Sequence, residues 1–258
     1  MNISIIGAGN VAKHLSAALI RAGHTIQQVF SRSMKNAEAL AVKTSSNPID
    51  KIEQLTAGSD LYIIAVSDNA IPGIARQLNL KEKIVVHTSG STDMDVLKST
   101  TTNYGVFYPL QTFSEGRQAD FSKIPVCIEA SNEYTGKILQ KLASDLSGAI
   151  FYINSEKRKA LHTSAVFACN FVNHLYASAE KICDQFNLPF DLLKPLIRET
   201  SEKVMQGSPS ESQTGPANRN DTDILKLHAE LLSFSPELQE IYKMLSNSIM
   251  NMDTKKGN

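Results

Sequence analysis

The 258-residue sequence has no excess of charge of either sign, with 26 Lys and Arg against 26 Asp and Glu. Nothing global therefore draws it to nucleic acid or to an anionic membrane. Cysteine is scarce: Cys127, Cys169 and Cys183 are odd in number, widely spaced and form no CxxC pair. Each falls in an apolar stretch, so the expectation is buried free thiols in a reducing, cytoplasmic setting. Long apolar runs are missing too. The longest, around Leu61 to Val66, is far short of a membrane span. A first strand beginning at residue 2 would leave no room for a signal peptide. The six histidines (14, 24, 87, 162, 174 and 228) show no zinc-site spacing, so no metal is expected. No Walker lysine comes after the N-terminal glycines, and there is no Gly-x-Ser-x-Gly elbow.

The features that are present begin at the N-terminus. The mostly apolar Asn2-Ile3-Ser4-Ile5-Ile6 runs into Gly7-Ala8-Gly9-Asn10-Val11-Ala12, and then into helical spacing of Val11, Leu15, Ala18 and Leu19. A strand, a Gly-x-Gly-x-x-Ala turn and a helix in that order form a dinucleotide-binding unit. Gly7 makes the turn, Gly9 admits a pyrophosphate, Ala12 packs the helix on the sheet, and the helix start offers free N–H groups. Thr25 to Phe30 reads as a second strand, leading to Ser31-Arg32-Ser33. An NAD site usually has an acid here for the ribose hydroxyls, whereas two hydroxyls and a guanidinium suit a 2′-phosphate. The reading is NADP, the alternative being that Arg32 is a solvated loop residue.

Further along, residues 34–42 look helical and Asn47-Pro48 reads as a turn. Leu61 to Val66 fits a central parallel strand, ending in Ser67-Asp68. Ile84 to Thr88 is another, ending in Ser89-Gly90-Ser91. Ligands of such sheets sit beyond the carboxyl ends of strands, so Val66, Ser67, Ser89 and Gly90 are candidate cofactor contacts. Asp68 falls at the same strand end, either near the cofactor or as a cap for the following helix, with capping preferred. Strands at 105–107, 126–129 and 150–153, with a helix at about 132–146, complete a doubly wound, mostly parallel α/β domain over 1–153. From 154 to 258 only helical periods remain, at about 155–186, 190–206, 222–232 and 236–250. The last begins with Ser235 as cap and Pro236 at its first position. The polar tail, Asp253 to Asn258, reads as frayed.

Chemistry could sit in two places. At about 100° per residue, Lys159, His162, Asn170 and Asn173 share an arc of about 80°, with Val166 between them. Interior helical asparagines need a reason. One reading is a polar lining toward the cofactor, and the other is a solvated face or a polar network at a dimer contact. The second place is the 15-residue, non-periodic stretch Gly207 to Asp221, where Arg219 could clamp a carboxylate or phosphate. Asp221 reads as a cap for the next helix.

The motifs Gly7 to Ala12, Tyr108-Pro109-Leu110-Gln111-Thr112-Phe113, Lys159-Ala160-Leu161-His162 through Asn170, and Thr214-Gly215-Pro216-Ala217-Asn218-Arg219-Asn220-Asp221 occur in that order. Together they resemble a bacterial family with a Rossmann-like N-terminal domain and a helical C-terminal domain of unknown function. Its members are labelled NADP oxidoreductases, sometimes with a coenzyme F420 tag. More distantly the layout resembles pyrroline-carboxylate reductase and the phosphogluconate and hydroxyisobutyrate dehydrogenases. That likeness implies a helical domain that closes the active site and dimerises. In those dehydrogenases a Lys and an Asn one turn apart contact substrate. Here Val166 stands one turn before Asn170, so the lysine role does not carry over. In the family the position of Tyr108 is often His.

The expectation is an NADP(H)-dependent oxidoreductase acting on a small, anionic carbonyl or imine. Histidine, with an ordinary pKa of about 6.5, can work in either direction near neutrality, which makes His162 the candidate acid. Lys159, Asn170 and Arg219 complete the candidate catalytic set. A homodimer through the helical domain, a small-molecule substrate, and neither nucleic-acid nor membrane partners are expected. The rival reading is a non-catalytic NADP-binding protein that signals redox state.

Overall fold

The computed structural model describes residues 1–117 and 119–252. The expectation of a frayed tail from Asp253 falls outside them. In chain order the first elements are β1 (Asn2–Ile6), α1 (Asn10–Arg21), β2 (Thr25–Phe30), α2 (Met34–Thr44), β3 (Asn47–Ile49), β4 (Leu61–Ile64), α3 (Ile71–Gln77), β5 (Ile84–His87) and β6 (Asn103–Pro109). Then come β7 (Val126–Ala130), α4 (Glu133–Leu146), β8 (Ile150–Tyr152) and α5 (Ser155–Ala165). A π-helical segment, Val166–Phe171, leads into α6 (Val172–Gln185), α7 (Lys194–Gln206), α8 (Thr222–Leu231) and α9 (Pro236–Met250). No helix among the described residues is long and apolar enough to cross a membrane.

Among the described residues eight strands form one sheet in the order β3-β2-β1-β4-β5-β6-β7-β8. All neighbours are parallel except β6 and β7, which are antiparallel. Alternation along the central strands divides the core between two faces. Ile3, Ile5, Ile63 and Val86 point to one, with Leu15 and Leu19 of α1 and Leu139 and Leu142 of α4. Ile6, Tyr62, Ile64 and Val85 point to the other, with Ile71 and Ile74 of α3. Both faces are thus covered, as the continuous apolar runs require.

Two local expectations need correction. Asn47-Pro48 is not a turn: it belongs to β3, pairing Gln28 with Asn47 and Val29 with Pro48. Proline is tolerated there because β3 is an edge strand with no ladder partner beyond it among the described residues. Asp68 makes no side-chain cap. It opens a short 3-10 turn in which the Ala70 N–H donates to the Ser67 carbonyl.

The chain divides into two compact units, 1–170 and 171–258. The sequence pattern changes at 153, whereas α5 packs with the sheet unit through Leu161, beside Val106, Tyr108 and Cys127. In the second unit, Asp221 caps α8 by accepting from the Ile224 N–H at 3.4 Å. Pro236 opens α9, and the Ser235 backbone carbonyl accepts from Gln239. The Ser235 hydroxyl accepts from Lys181 Nζ at 3.3 Å instead of capping.

Candidate functional site

The turn after β1 is built as its glycines predict. Gly7 has φ +128°, and a Cβ there would lie 2.2 Å from the Ala65 carbonyl oxygen. Only glycine lets this turn press against the end of β4. At Gly9 no atom lies within 4 Å of where a Cβ would stand, so the space before the helix start is open. Around it lies a cleft of about 570 Å³.

Gly7, Ala8, Gly9, Asn10 and Val11 line one side of that cleft. Ser31 and Arg32 from the end of β2, and Val66 and Ser67 from the end of β4, line the rest with residues of α3. Among the described residues no carboxylate lines it. Three candidate contacts fall elsewhere. Ser33 is exposed at the start of α2, where its carbonyl accepts from Asn36 and Ala37. Ser89 is buried and its hydroxyl is committed locally, accepting from the Ser91 and Thr92 N–H groups and donating to Thr92 Oγ1. Gly90 is a seat for His162: a Cβ there would lie 2.6 Å from the ring Cγ and Nδ1. Ser89 and Gly90 both follow β5, and Gly90 faces α5 through His162.

A second cavity, of about 360 Å³, lies between the end of β6 and α5 with the π segment. His162, Val166 and Asn170 line it together, as the helical arc predicts, with Tyr108, Gln111 and Thr112 opposite. Among the described residues none that lines it is a lysine or arginine. Lys159 is not among them: its ammonium pairs with Asp93 at 3.3 Å on the surface, both side chains about half exposed. The exposed Arg219 belongs to the second unit, where its N–H donates to the Gly215 carbonyl. Asn173 lies on α6, beyond the π segment. A π turn takes an extra residue, which rotates the residues after it by about 100° relative to an unbroken α-helix. Cys169 corrects the cysteine reading. It is exposed at this cavity, while Cys127 and Cys183 are buried, and all three are free.

Tyr108 is the residue whose role the sequence leaves open. Its hydroxyl is 2.9 Å from His162 Nδ1, and the rings meet edge to face at 6.0 Å. Burial pushes the phenol up to about 12, with Cys127 and Asp68 adding to the effect and the Arg158 guanidinium opposing it. The available signal is its place at the carboxyl end of a strand, the rule that selects Ser67 and Ser89.

A buried polar cluster holds the start of α5 in place. Arg158, fully buried, pairs with Glu129 of β7 and donates to the Thr92 carbonyl and, at 3.1 Å, to Ser155 Oγ. Glu129 also accepts from the Ser155 N–H at 2.8 Å and its hydroxyl at 2.9 Å. Such a pair costs desolvation, and here further hydrogen bonds offset it. His162 stands one turn beyond Arg158, so the cluster sets where the ring reaches the cavity. Beside the cluster, burial lowers His87 to about 4, helped by Arg158.

The loop after β6 joins the two cavities. Gln111 and Thr112 line the second. The Phe113 carbonyl accepts from the Asn10 amide at 3.1 Å, His14 reaches the Ser114 carbonyl at 3.0 Å, and Lys13 pairs with Glu115 at 2.9 Å.

Comparison with known proteins agrees with this architecture. Residues 1–111 match the Rossmann-like domain family, and 124–249 match a domain of unknown function, DUF2520. No curated protein matches the chain. Among solved structures, a putative NADP oxidoreductase from Bacteroides fragilis is 41% identical with a TM-score of 0.91, covering 97% of this chain and 98% of its own. A reductive aminase from Aspergillus terreus, solved with NADPH and ethyl-5-oxohexanoate, has a TM-score of 0.72 at 13% identity, covering 99% and 94%. A 1-pyrroline-5-carboxylate reductase from Streptococcus pyogenes has 0.64 at 12%, covering 98% and 99%. The last two are likenesses of fold. At 41% identity over nearly its whole length, the chain belongs to the same family as the Bacteroides fragilis protein, that of a Rossmann-like domain followed by a DUF2520 domain.

Proposed function

We propose that the protein is an NADP(H)-dependent oxidoreductase that transfers hydride to or from the carbonyl or imine carbon of a small substrate. The observation that carries this reading is the pairing, within one unit, of a dinucleotide cleft with a cavity bearing a Tyr–His pair. The residues present fit the cofactor. The open space before Gly9 and the start of α1 suit a pyrophosphate, and Arg32 with Ser31 suits a 2′-phosphate, with no carboxylate among the cleft's described lining residues to oppose it. When bound, the nicotinamide supplies the hydride. His162 holds or moves the proton at the substrate's oxygen or nitrogen, and Asn170 helps orient the substrate.

An anionic substrate is supported by Arg219 alone among the described residues, since no lysine or arginine among them lines the cavity. That part of the reading calls for a comparison of keto acids with their neutral esters in the parent protein and in Arg219→Ala. A homodimer through the helical unit is part of the proposal. Leu192, Leu196, Leu227 and Met244 are 57 to 67% exposed there. An apolar surface of this kind on a small helical unit asks for a partner, and a second copy supplies one.

The main test is NADPH oxidation with keto acids, aldehydes, ketones and preformed imines, with His162→Ala beside the parent protein. Turnover that falls about 100-fold or more in His162→Ala is the expected result. NADPH binding without turnover on any class would favour the redox-signalling reading instead.

A further inference from the structure

We infer that Tyr108 is a positioning residue that holds neutral His162 in the tautomer carrying its hydrogen on Nε2, so that the ring meets the substrate as a donor. The consequence for substrate rests on the reading of His162 as the proton-handling group, but the geometry does not. Tyr108 is 8% exposed, packed in the apolar cluster with Val106, Cys127 and Leu161. Among the described residues its hydroxyl has one hydrogen-bond partner, His162 Nδ1 at 2.9 Å. Among the described residues that nitrogen is the hydroxyl's one acceptor within reach, and a ring nitrogen accepts only when it carries no hydrogen. Tyr108 therefore donates, Nδ1 is the bare nitrogen, and the hydrogen of the neutral ring sits on Nε2. A phenol pushed up to about 12 keeps its proton at neutral pH, as this direction of bonding requires.

On one side the ring is bounded by the Gly90 backbone. Its Cβ, Cγ and Nδ1 lie against the backbone at Gly90, at 2.6 to 2.8 Å from where a Cβ would stand. Upstream, the buried Arg158–Glu129 pair anchors the first turn of α5. Among the described residues no lysine or arginine lines the cavity, so the N–H is a directional feature there beside Gln111, Thr112, Ser164 and Asn170. The substrate atom that meets Nε2 must then be an acceptor. A ketone or aldehyde oxygen, or the lone pair of a neutral imine, satisfies that requirement, whereas a protonated iminium does not. The substrate class is therefore a carbonyl or unprotonated imine bound through its heteroatom.

The test is nitrogen NMR of the full-length protein with ¹⁵N-labelled histidine near pH 8, the His162 signals being assigned through His162→Gln. The expected spectrum has a protonated Nε2 and an unprotonated Nδ1. In Tyr108→Phe, an isosteric change that removes only the hydroxyl, a mixture of tautomers should appear. Turnover should fall about tenfold or more while the NADPH Kd stays within about twofold, the pattern of a lost orientation in a proton-handling group. A parent spectrum with protonated Nδ1 would overturn the inference, and so would a Tyr108→Phe spectrum with the tautomer unchanged. The parent spectrum decides even if the variant fails to fold. Failure of every substrate in the NADPH assay would count against the proposed activity and leave the tautomer result standing.

Discussion

At the scale of single residues, two positions combine a sharp geometry with a clear expectation. Gly7 adopts φ +128° with the Ala65 carbonyl oxygen 2.2 Å from any added Cβ. Gly7→Ala should therefore cost about 3 kcal/mol or more of stability by urea unfolding, since strained φ and backbone overlap add. Arg32 lines the cleft from the end of β2 and is exposed. Losing the charged hydrogen bonds proposed between it and a 2′-phosphate should remove about 1.5–3 kcal/mol, or about 10- to 150-fold in affinity. Calorimetric titration of Arg32→Ala should show that loss for NADPH and nearly none for NADH. Equal binding of the two cofactors by the parent protein would refute the NADP reading. Both residues are legible in the sequence because their roles are local: a turn with no room for a side chain, and a charge at a strand end.

At the scale of elements, the β5 end and the start of α5 form one buried polar assembly, and it makes stability depend on pH. His87 is fully buried and lowered to about 4 by burial and the nearby Arg158. The unfolded chain would take up that proton near pH 6.5, while the folded chain resists until about 4. The unfolded state thus binds more protons inside this window, so stability is fully present above about 6.5 and is lost as pH falls toward 4. The loss from this group should be about 3 kcal/mol. Urea melts at pH 7 and 4.5 should show most of it, and His87→Leu should flatten the difference. A variant with an unchanged pH slope would assign the acid sensitivity to other groups. This assembly is not legible in the sequence, because Thr92, Glu129 and Arg158 come from separate elements and meet only when the strands pair. The helical arc is partly legible for the opposite reason. Spacing alone brings His162, Val166 and Asn170 to one cavity, but the π segment breaks the period before Asn173.

At the scale of the whole molecule, the helical unit leaves large apolar side chains in solvent, and a second copy is the proposed cover. Sedimentation should give a species of about 57 kDa, twice the 28.3 kDa chain. Charged substitutions at the exposed Leu196 and Met244, Leu196→Glu with Met244→Glu, should shift it toward the monomer. A parent protein that sediments as a monomer at micromolar concentration would remove the dimer from the proposal.

The order of residues along the chain was enough to specify the doubly wound domain, its glycine turn, the helical second half and most of the cleft lining. Each of these depends on periodicity or on contacts between near neighbours, and such patterns are written locally. Which polar residues meet was settled by folding. The assembled sheet and helices pair Tyr108 with His162 across 54 positions, seat that ring on Gly90, and tie Lys159 to Asp93 at the surface. Hydrogen bonds between distant segments depend on strand order and helix placement, which no local spacing encodes.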